Sequence, residues 1–135
     1  VKEFPRDVDA TLVEGAVAND ENLHQLKLIR ERTKVLVSFG DCAVTGNVTA
    51  MRNPLRRAEA VLKRAYIENV DTNPRRPADP GVVPVLLDRV RPVHEVVPVD
   101  VYLPGCPPSA DLIHFVLTEL VAGRIPDLKD RLKYG

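Results

Sequence analysis

The chain has 135 residues, of which 44% are hydrophobic and 28% are charged, a composition typical of one globular domain with a single core. Its 19 basic residues balance 19 acidic residues, so no net charge draws it to nucleic acid or anionic lipid. No apolar run approaches the roughly 20 residues that span a bilayer. Two cysteines are too few for a disulfide scaffold. We therefore expect a cytoplasmic protein that binds neither nucleic acid nor membrane.

The first predicted elements are a strand and a helix. Residues 10–13 (ATLV) are apolar and partly β-branched, which favours a buried strand that ends at Glu14 and Gly15. Asn19 or Asp20 would cap the helix that follows. The apolar stripe of this helix is formed by Leu23, Leu26, Leu28 and Ile29.

The second strand leads directly to the first cysteine. Residues 34–39 (KVLVSF) read as a buried strand, and the sequence GDC, which ends at Cys42, follows it. Asn53 and Pro54 then predict the start of a strong helix, with Asn as its cap and Pro at its first position. The residues at helical spacing are Leu55, Ala58, Leu62, Ala65 and Tyr66.

The second half of the chain is rich in proline. Residues 71–98 have no clear periodicity and predict a long connection that faces a partner. Residues 99–103 indicate a third strand, Ser109 or Asp111 would start the last helix, and residues 124–135 predict a polar surface tail. The last helix would end at Gly123 and present Leu112, Ile113, Val116, Leu117 and Leu120 on its apolar face.

Buried strands that alternate with helices predict an α/β domain over residues 1–135 with a parallel sheet. In such sheets, ligands bind beyond the carboxyl ends of the strands. Cys42 follows the second strand, and Cys106 follows the third in the sequence PGCPP. Both thiols are therefore expected at the same edge.

Several kinds of chemistry use a thiol at a strand end. A nucleophilic cysteine needs a nearby base, but His24, His94 and His114 all fall away from the strand ends. A disulfide is disfavoured in a reducing compartment. Iron–sulfur clusters take cysteine thiolates, and glycines before each thiol allow backbone amides to approach the sulfur. Cluster ligation is therefore our preferred interpretation, and a pair of inert structural thiols in a non-enzymatic binding module is the alternative.

The motifs GDCAVTGN, VEGAV and VPVDVYLPGCPPSAD resemble the small subunit of [NiFe]-hydrogenases and the homologous cluster-bearing subunit of respiratory complex I. VEGAVAN and MRNP are similar to the soluble, NAD-reducing bidirectional hydrogenases. The resemblance implies a flavodoxin-like, doubly wound fold and one [4Fe–4S] cluster, with Cys42 and Cys106 as two of its ligands. The other two cysteines of the family motif have no counterpart here, so we expect them, with one more strand, upstream of Val1.

The resemblance also implies a function and partners. The chain would relay electrons from H2 oxidation toward an NAD-reducing diaphorase with flavin and iron–sulfur clusters, and it would have no catalytic residue of its own. The Ni–Fe active site of this hydrogen dehydrogenase would lie on the large subunit, and FMN is reported near the small subunit of this type. The cluster-bearing subunit of an NADH–quinone oxidoreductase is the alternative within the same class.

The residues expected around the cofactor all follow predicted strands. Gly40 and Gly105 precede the thiols, and Pro107 stiffens the loop after Cys106. Glu14 and Gly15 follow the first strand, where a carboxylate would carry protons or form a hydrogen bond near the cluster. The cofactor-binding residues are thus predicted to be Glu14, Gly15, Gly40, Gly105 and Pro107, with Cys42 and Cys106 as metal ligands.

Overall fold

The computed structural model describes residues 3–132. Two 3₁₀ turns, Asn53–Leu55 and Val93–Glu95, and one π turn, Arg64–Glu68, accompany the regular elements. In chain order the strands and α-helices are β1 (Val8–Glu14), β2 (Val17–Asn19), α1 (Asp20–Arg32), β3 (Thr33–Phe39), α2 (Gly40–Thr45), α3 (Asn47–Ala50), α4 (Ala58–Lys63), β4 (Leu86–Arg91), β5 (Val101–Leu103) and α5 (Ala110–Val121).

A parallel sheet of three strands forms the centre of the domain. β3 lies in the middle, with β1 on one side and β5 on the other. β2 and β4 form a separate antiparallel pair. Helix α1 connects β1 to β3, because parallel neighbours require a crossover connection. The predicted α/β class with a parallel sheet is confirmed.

Helices cover both faces of the parallel sheet, as in a doubly wound fold. Side chains alternate along a strand, so the fully buried Leu36 points into the core under α1, whereas its neighbour Val37 points into the core under α5. The α1 core consists of Val17, Leu26, Leu36, Ala43, Val93 and Val97, and the α5 core consists of Val37, Val101, Leu103, Val116 and Leu128.

Helix α1 begins as its sequence predicts. Asn19 Oδ1 accepts a hydrogen bond from Asn22 N at 2.7 Å, and Asp20 lies in the first turn. Arg30 lies in the last turn, where a cation suits the helix dipole. Its guanidinium also donates to Asp100 Oδ2 at 2.6 Å, which ties α1 to the segment before β5.

Helix α5 is capped by Ser109, whose Oγ accepts a hydrogen bond from Leu112 N at 3.4 Å. Gly123 follows the helix with φ of +72°, as expected for a residue that terminates it. The predicted apolar face was wrong at Leu117, which is exposed. Phe115 packs against the α5 core instead.

The helix predicted to start at Asn53 begins at Ala58, so the predicted start was wrong. Asn53 does not cap a helix: its Nδ2 donates to Val90 O at 2.9 Å, and its Oδ1 accepts from Val90 N at 2.8 Å. Arg56, at φ of +62°, interrupts the chain before α4. Ala58 N then donates to Asp88 Oδ1 at 2.9 Å, so a distant carboxylate satisfies the first turn.

Residues 71–98 are not a continuous connection, and that part of the prediction was wrong. The segment contains β4 and the turn Val93–Glu95. β4 pairs with β2 in the antiparallel sheet, and Leu87 packs against the α1 core. Residues 71–85 contain neither a strand nor a helix, as predicted.

The predicted surface tail is partly buried. Leu128 is only 7% exposed and belongs to the α5 core, against which Leu132 also packs. The guanidinium carbon of Arg131 lies 3.8 Å from the centroid of the Phe115 ring. Residues 133–135 of the predicted tail lie outside the described residues. Among residues 3–132, none of the helices has the length and apolar character needed to cross a membrane.

Candidate functional site

The carboxyl ends of the three parallel strands lie level with one another. Glu14 pairs with Phe39 across β1 and β3, and Phe39 pairs with Leu103 across β3 and β5. The segments that carry Cys42 and Cys106 therefore leave the sheet at the same edge, as the strand order predicted. This is the edge at which parallel sheets bind ligands.

Two reciprocal hydrogen bonds fasten the two cysteine segments to each other. Asp41 N donates to Gly105 O at 2.9 Å, and Gly105 N donates to Asp41 Oδ1 at 2.6 Å. Asp41 directly precedes Cys42, and Gly105 directly precedes Cys106. The two thiol-bearing residues are thus held in a fixed relation, although 64 positions separate the bonded residues in the sequence.

Cys42 is positioned by the helix that carries it. It lies half-buried in α2, and its carbonyl accepts a hydrogen bond from Gly46 N at 3.0 Å. Ala43, the next residue, is fully buried in the α1 core. Thr45 Oγ1 donates to Asp41 O at 2.9 Å within the same short helix. These contacts anchor the residues on both sides of the thiol.

Cys106 is held by the loop after β5. Its side chain is free and exposed, and the bond between Cys106 and Pro107 is cis. Pro107 is exposed, whereas Pro108 is buried and anchors the loop to the domain. The predicted stiffness of this segment therefore has a structural basis in its two prolines, which each fix φ.

Gly40 and Gly105 are required by the backbone at this edge. Gly40 has φ of +79°, and Gly105 has φ of +132°, both values that residues with a Cβ avoid. A Cβ on Gly105 would lie 2.5 Å from Pro108 Cα, and one on Gly40 would lie 3.5 Å from Gly105 O. The positive φ values thus favour glycine at both positions, and Gly105 also leaves room for the tight turn to Pro108.

Glu14 and Gly15 are at the same edge but face another element. Together with Asn22 and Gln25 of α1 they line a small cavity of about 170 Å³. Glu14 is exposed and ends β1. Neither its side chain nor Gly15 forms a described hydrogen bond with the segments of Cys42 and Cys106, so their predicted role beside a cofactor stays a prediction.

The two thiols fit part of an iron–sulfur site. Both are free, and thiolates are the soft ligands that such clusters take. Within residues 3–132, no three His, Cys, Asp or Glu side chains gather in a way that would hold a metal ion. His94 instead packs edge-on against Tyr102, with the ring centroids 5.9 Å apart. A cluster with four cysteine ligands would therefore draw two of them from elsewhere.

Two polar residues of this edge were missed by the sequence analysis. Asp41 has no predicted role within GDC, although short carboxylates commonly accept hydrogen bonds from nearby backbone. Ser38 lies within the predicted apolar strand at residues 34–39. It is fully buried, and its Oγ has no hydrogen-bond partner among the described residues. Nothing in the local sequence distinguishes it from a satisfied strand serine.

Comparison with known proteins identifies relatives of this chain. A family model described as "NADH ubiquinone oxidoreductase, 20 Kd subunit" matches residues 1–120. The chain is 39% identical over 132 residues to the NAD-reducing hydrogenase HoxS subunit delta of Cupriavidus necator, a match that covers 95% of this chain and 62% of that protein. It is 35% identical over 131 residues to the iron-sulfur subunit of the F420-non-reducing hydrogenase of Archaeoglobus profundus, with coverage of 90% and 40%.

A solved structure has the same fold. One chain of the "Crystal structure of NAD+-reducing [NiFe]-hydrogenase in the H2-reduced state" superposes with a TM-score of 0.86 at 39% identity, over 98% of this chain and 75% of that one. The chain spans 62% of the length of the Cupriavidus necator subunit and 40% of the length of the Archaeoglobus profundus subunit.

Proposed function

This chain belongs to the family of the NADH ubiquinone oxidoreductase 20 Kd subunit, and from that premise we propose that it is the electron-transfer small subunit of an NAD-reducing [NiFe]-hydrogenase. Dihydrogen would be split on a partner large subunit, and electrons would pass through this subunit toward a diaphorase. The observation that carries the proposal is the pair of hydrogen bonds between Asp41 and Gly105, which fastens the segments of Cys42 and Cys106 at one edge of the sheet.

Cys42 and Cys106 would supply two thiolate ligands of one [4Fe–4S] cluster. When bound, such a cluster takes up and releases single electrons at a potential set by its ligands, hydrogen bonds and exposure. The chain itself would hold its two ligands in a fixed relation through Asp41 and allow close backbone approach at Gly105. The remaining two cysteines would lie outside the 135 residues, as expected upstream of Val1. An FMN near this subunit is supported by the resemblance alone.

The proline-rich segment supplies a candidate contact for a partner subunit. Val82 and Val85 are 78% and 68% exposed. The backbone is nevertheless held at both residues: Val82 N donates to Asp79 O at 3.1 Å, and Val85 N donates to Asp20 Oδ1 while Asp20 N donates to Val85 O, both at 2.9 Å. Exposed apolar residues on a fixed backbone favour a preformed contact. We propose that residues 80–85 pack against a partner, more specifically the large subunit.

This loop contact is tested with the residues that are exposed. Leu87 packs against the α1 core, so its replacement would damage the fold and would not report on the interface. Val82→Asp with Val85→Asp should weaken association with the large subunit about tenfold and leave the iron content unchanged. Normal co-purification of the double variant with its partners would show that these valines do not contribute.

The cluster assignment is tested on the complete protein in its complex. We expect iron and acid-labile sulfide in the purified complex, and an electron paramagnetic resonance signal of this subunit that is lost in Cys42→Ser and Cys106→Ser. Both variants should also lose hydrogen-dependent NAD+ reduction but keep NADH oxidation with an artificial dye, because the diaphorase has its own cofactors. Retention of the signal and of full hydrogen-dependent activity would mean that the thiols are structural.

A second candidate is the cluster-bearing subunit of an NADH–quinone oxidoreductase, because the matching family model carries that description. The same two ligands would then serve a complex that does not use hydrogen. Reduction of the cluster by H2 in the purified complex supports the hydrogenase. Reduction by NADH with no response to H2, together with quinone reduction, would support the second candidate.

A further inference from the structure

A single charged side chain lies in the two segments that carry the cysteines. Asp41 is the one charged residue of residues 40–50, and residues 101–110 contain none. It directly precedes Cys42 and is half-buried. The ion pairs found within residues 3–132 do not include Asp41. The cysteine segments therefore carry a negative charge that no described ion pair neutralises.

The Asp41 carboxylate is close to both thiols. Asp41 and Cys42 are neighbours in the chain, so bond lengths limit the distance from the carboxylate to the Cys42 sulfur to about 10 Å. Asp41 Oδ1 also accepts a hydrogen bond from Gly105 N at 2.6 Å. Because Gly105 is bonded to Cys106, the same limit of about 10 Å applies to the second sulfur. One carboxylate is thus within electrostatic range of both proposed ligands.

The backbone amides of Asp41 and Gly105 already have acceptors. Gly105 N donates to the Asp41 carboxylate, and Asp41 N donates to Gly105 O at 2.9 Å. An amide that donates to oxygen is less available to a neighbouring sulfur. Hydrogen bonds to sulfur are among the features that set the potential of an iron–sulfur site, because their partial positive charge stabilises an added electron. The pair of bonds therefore withholds two donors from the thiols.

We propose that Asp41 lowers the reduction potential of the iron–sulfur site held by Cys42 and Cys106. The inference rests on the proposed function, because it needs a cluster at these thiols. Each reduction would bring one electron from the large subunit, and each oxidation would pass it toward the diaphorase, with no bond formed or broken. The carboxylate repels the added negative charge, so it favours the oxidised form. A low potential suits a relay that feeds NAD+, because a site that held its electrons tightly would not release them to this low-potential acceptor.

The size of the effect follows from Coulomb's law. Two unit charges about 10 Å apart, at an effective dielectric constant of about 20, shift a one-electron equilibrium roughly tenfold. Asp41→Asn should therefore increase the ratio of reduced to oxidised sites at a fixed potential about tenfold, which for a one-electron couple is a rise of about 59 mV in the midpoint potential.

Three substitutions at residue 41 separate its charge from its hydrogen bond. Asp41→Asn removes the charge but retains an oxygen that can accept from Gly105 N. Asp41→Ala removes both and should raise the potential at least as far, because the Gly105 amide is then free to donate elsewhere. Asp41→Glu retains the charge and should change the ratio of reduced to oxidised sites less than threefold. A shift in Asp41→Glu as large as that in Asp41→Asn would mean that position, and not charge, sets the potential.

The matched control is Asp100→Asn. Asp100 exchanges the same kind of hydrogen bonds with Leu36, but it lies before β5, whose three residues separate it from the cysteine edge by about 10 Å. Its carboxylate is also paired with Arg30 at 2.6 Å. This substitution should change the ratio of reduced to oxidised sites less than twofold.

The potentials are measured by redox titration of the purified complex, followed by the electron paramagnetic resonance signal of this subunit. The signal comes only from loaded sites, so partial loss of iron in a variant does not alter the reading. An unchanged midpoint potential in Asp41→Asn would overturn the inference. An equal rise in Asp100→Asn would do the same, because the effect would then not be local to the thiols.

The wild-type complex separates this inference from the proposed function. A wild-type complex without iron and acid-labile sulfide would contradict the proposed function, and the role of Asp41 with it. A wild-type complex that contains the cluster, with a potential that does not respond to Asp41→Asn, would contradict the role of Asp41 alone.

Discussion

Asp41→Ala removes the side-chain half of the connection between the two cysteine segments. Asp41 Oδ1 accepts a hydrogen bond from Gly105 N at 2.6 Å, whereas the return bond from Asp41 N to Gly105 O uses only backbone atoms and remains possible. The substitution therefore leaves one amide without its acceptor. Because Gly105 is half-buried, water can replace only part of what is lost.

The size of the effect follows from the type of bond. A hydrogen bond to a charged group contributes about 1.5–3 kcal/mol, and partial access of water lowers that figure. We expect Asp41→Ala to reduce the free energy of unfolding by about 2 kcal/mol, and Asp41→Asn, which retains an acceptor, by about 1 kcal/mol. The control is Asp127→Ala, where an exposed carboxylate accepts from Lys129 N at 3.1 Å. This control should cost less than about 0.5 kcal/mol.

Two measurements check this prediction. Urea unfolding of each variant gives the free energies, and the rate at which a chelator removes iron from the complex reports on the ligand segments. Asp41→Ala should release iron faster than Asp41→Asn, and both should release it faster than the Asp127→Ala control. If Asp41→Ala is as stable as the control and releases iron at the wild-type rate, the two hydrogen bonds do not hold the site together.

Three further substitutions test the parallel sheet and the loop that follows β5. Gly105→Ala should destabilise the protein by about 2–4 kcal/mol, because φ of +132° and a Cβ at 2.5 Å from Pro108 Cα both oppose it; loss of solubility or a lower urea midpoint would show this. Ser38→Ala should be neutral or stabilise by about 1 kcal/mol in thermal unfolding, since the buried hydroxyl has no partner among the described residues. Burial raises the pKa of Asp100, but hydrogen bonds from Leu36 N and Arg30 outweigh it, so the pKa is lowered in the folded state. Its contribution, about 1 kcal/mol for this partly exposed group, is therefore present above about pH 4 and lost as pH falls through the folded-state pKa, and Asp100→Asn should lose this acid-dependent part of the unfolding curve.

The strands and the two long helices could be predicted because their signals are local. Asn19 and Ser109 cap helices in the structure, as the sequence indicated, and apolar runs marked the three parallel strands. Once the strands are parallel, their ends share an edge, so the common location of Cys42 and Cys106 followed from topology. None of these inferences needed a contact between residues far apart in the sequence.

The errors in the middle of the chain share one cause, which is contact with partners far away in the sequence. Asn53 followed by proline is a helix-start signal, but the Asn53 amide bonds to Val90, 37 positions away. The first amide of α4 is satisfied by Asp88, 30 positions away. β4 was missed because its partner β2 has only three residues and precedes it by more than 60 positions. Local propensity does not contain this information.

The same pair of hydrogen bonds occurs at three places where residues far apart in the sequence meet. In each case an aspartate donates its own N–H to a carbonyl, and its carboxylate accepts the N–H of the same distant residue. The aspartate thereby imitates one more residue pair of a strand ladder. The three instances are Asp41 with Gly105, Asp100 with Leu36, and Asp20 with Val85.

Two of these aspartates explain how so short a strand can position Cys106. β5 has three residues, and its ladder with β3 runs only from Val101 to Leu103. Asp100 forms its two hydrogen bonds with Leu36 just before that ladder, and Asp41 forms its two hydrogen bonds with Gly105 just after it. The pairing of β3 with β5 is thus extended at both ends by side chains. Since these two strands lead to Cys42 and Cys106, the relative position of the thiols depends on polar contacts at the ends of the ladder more than on its length.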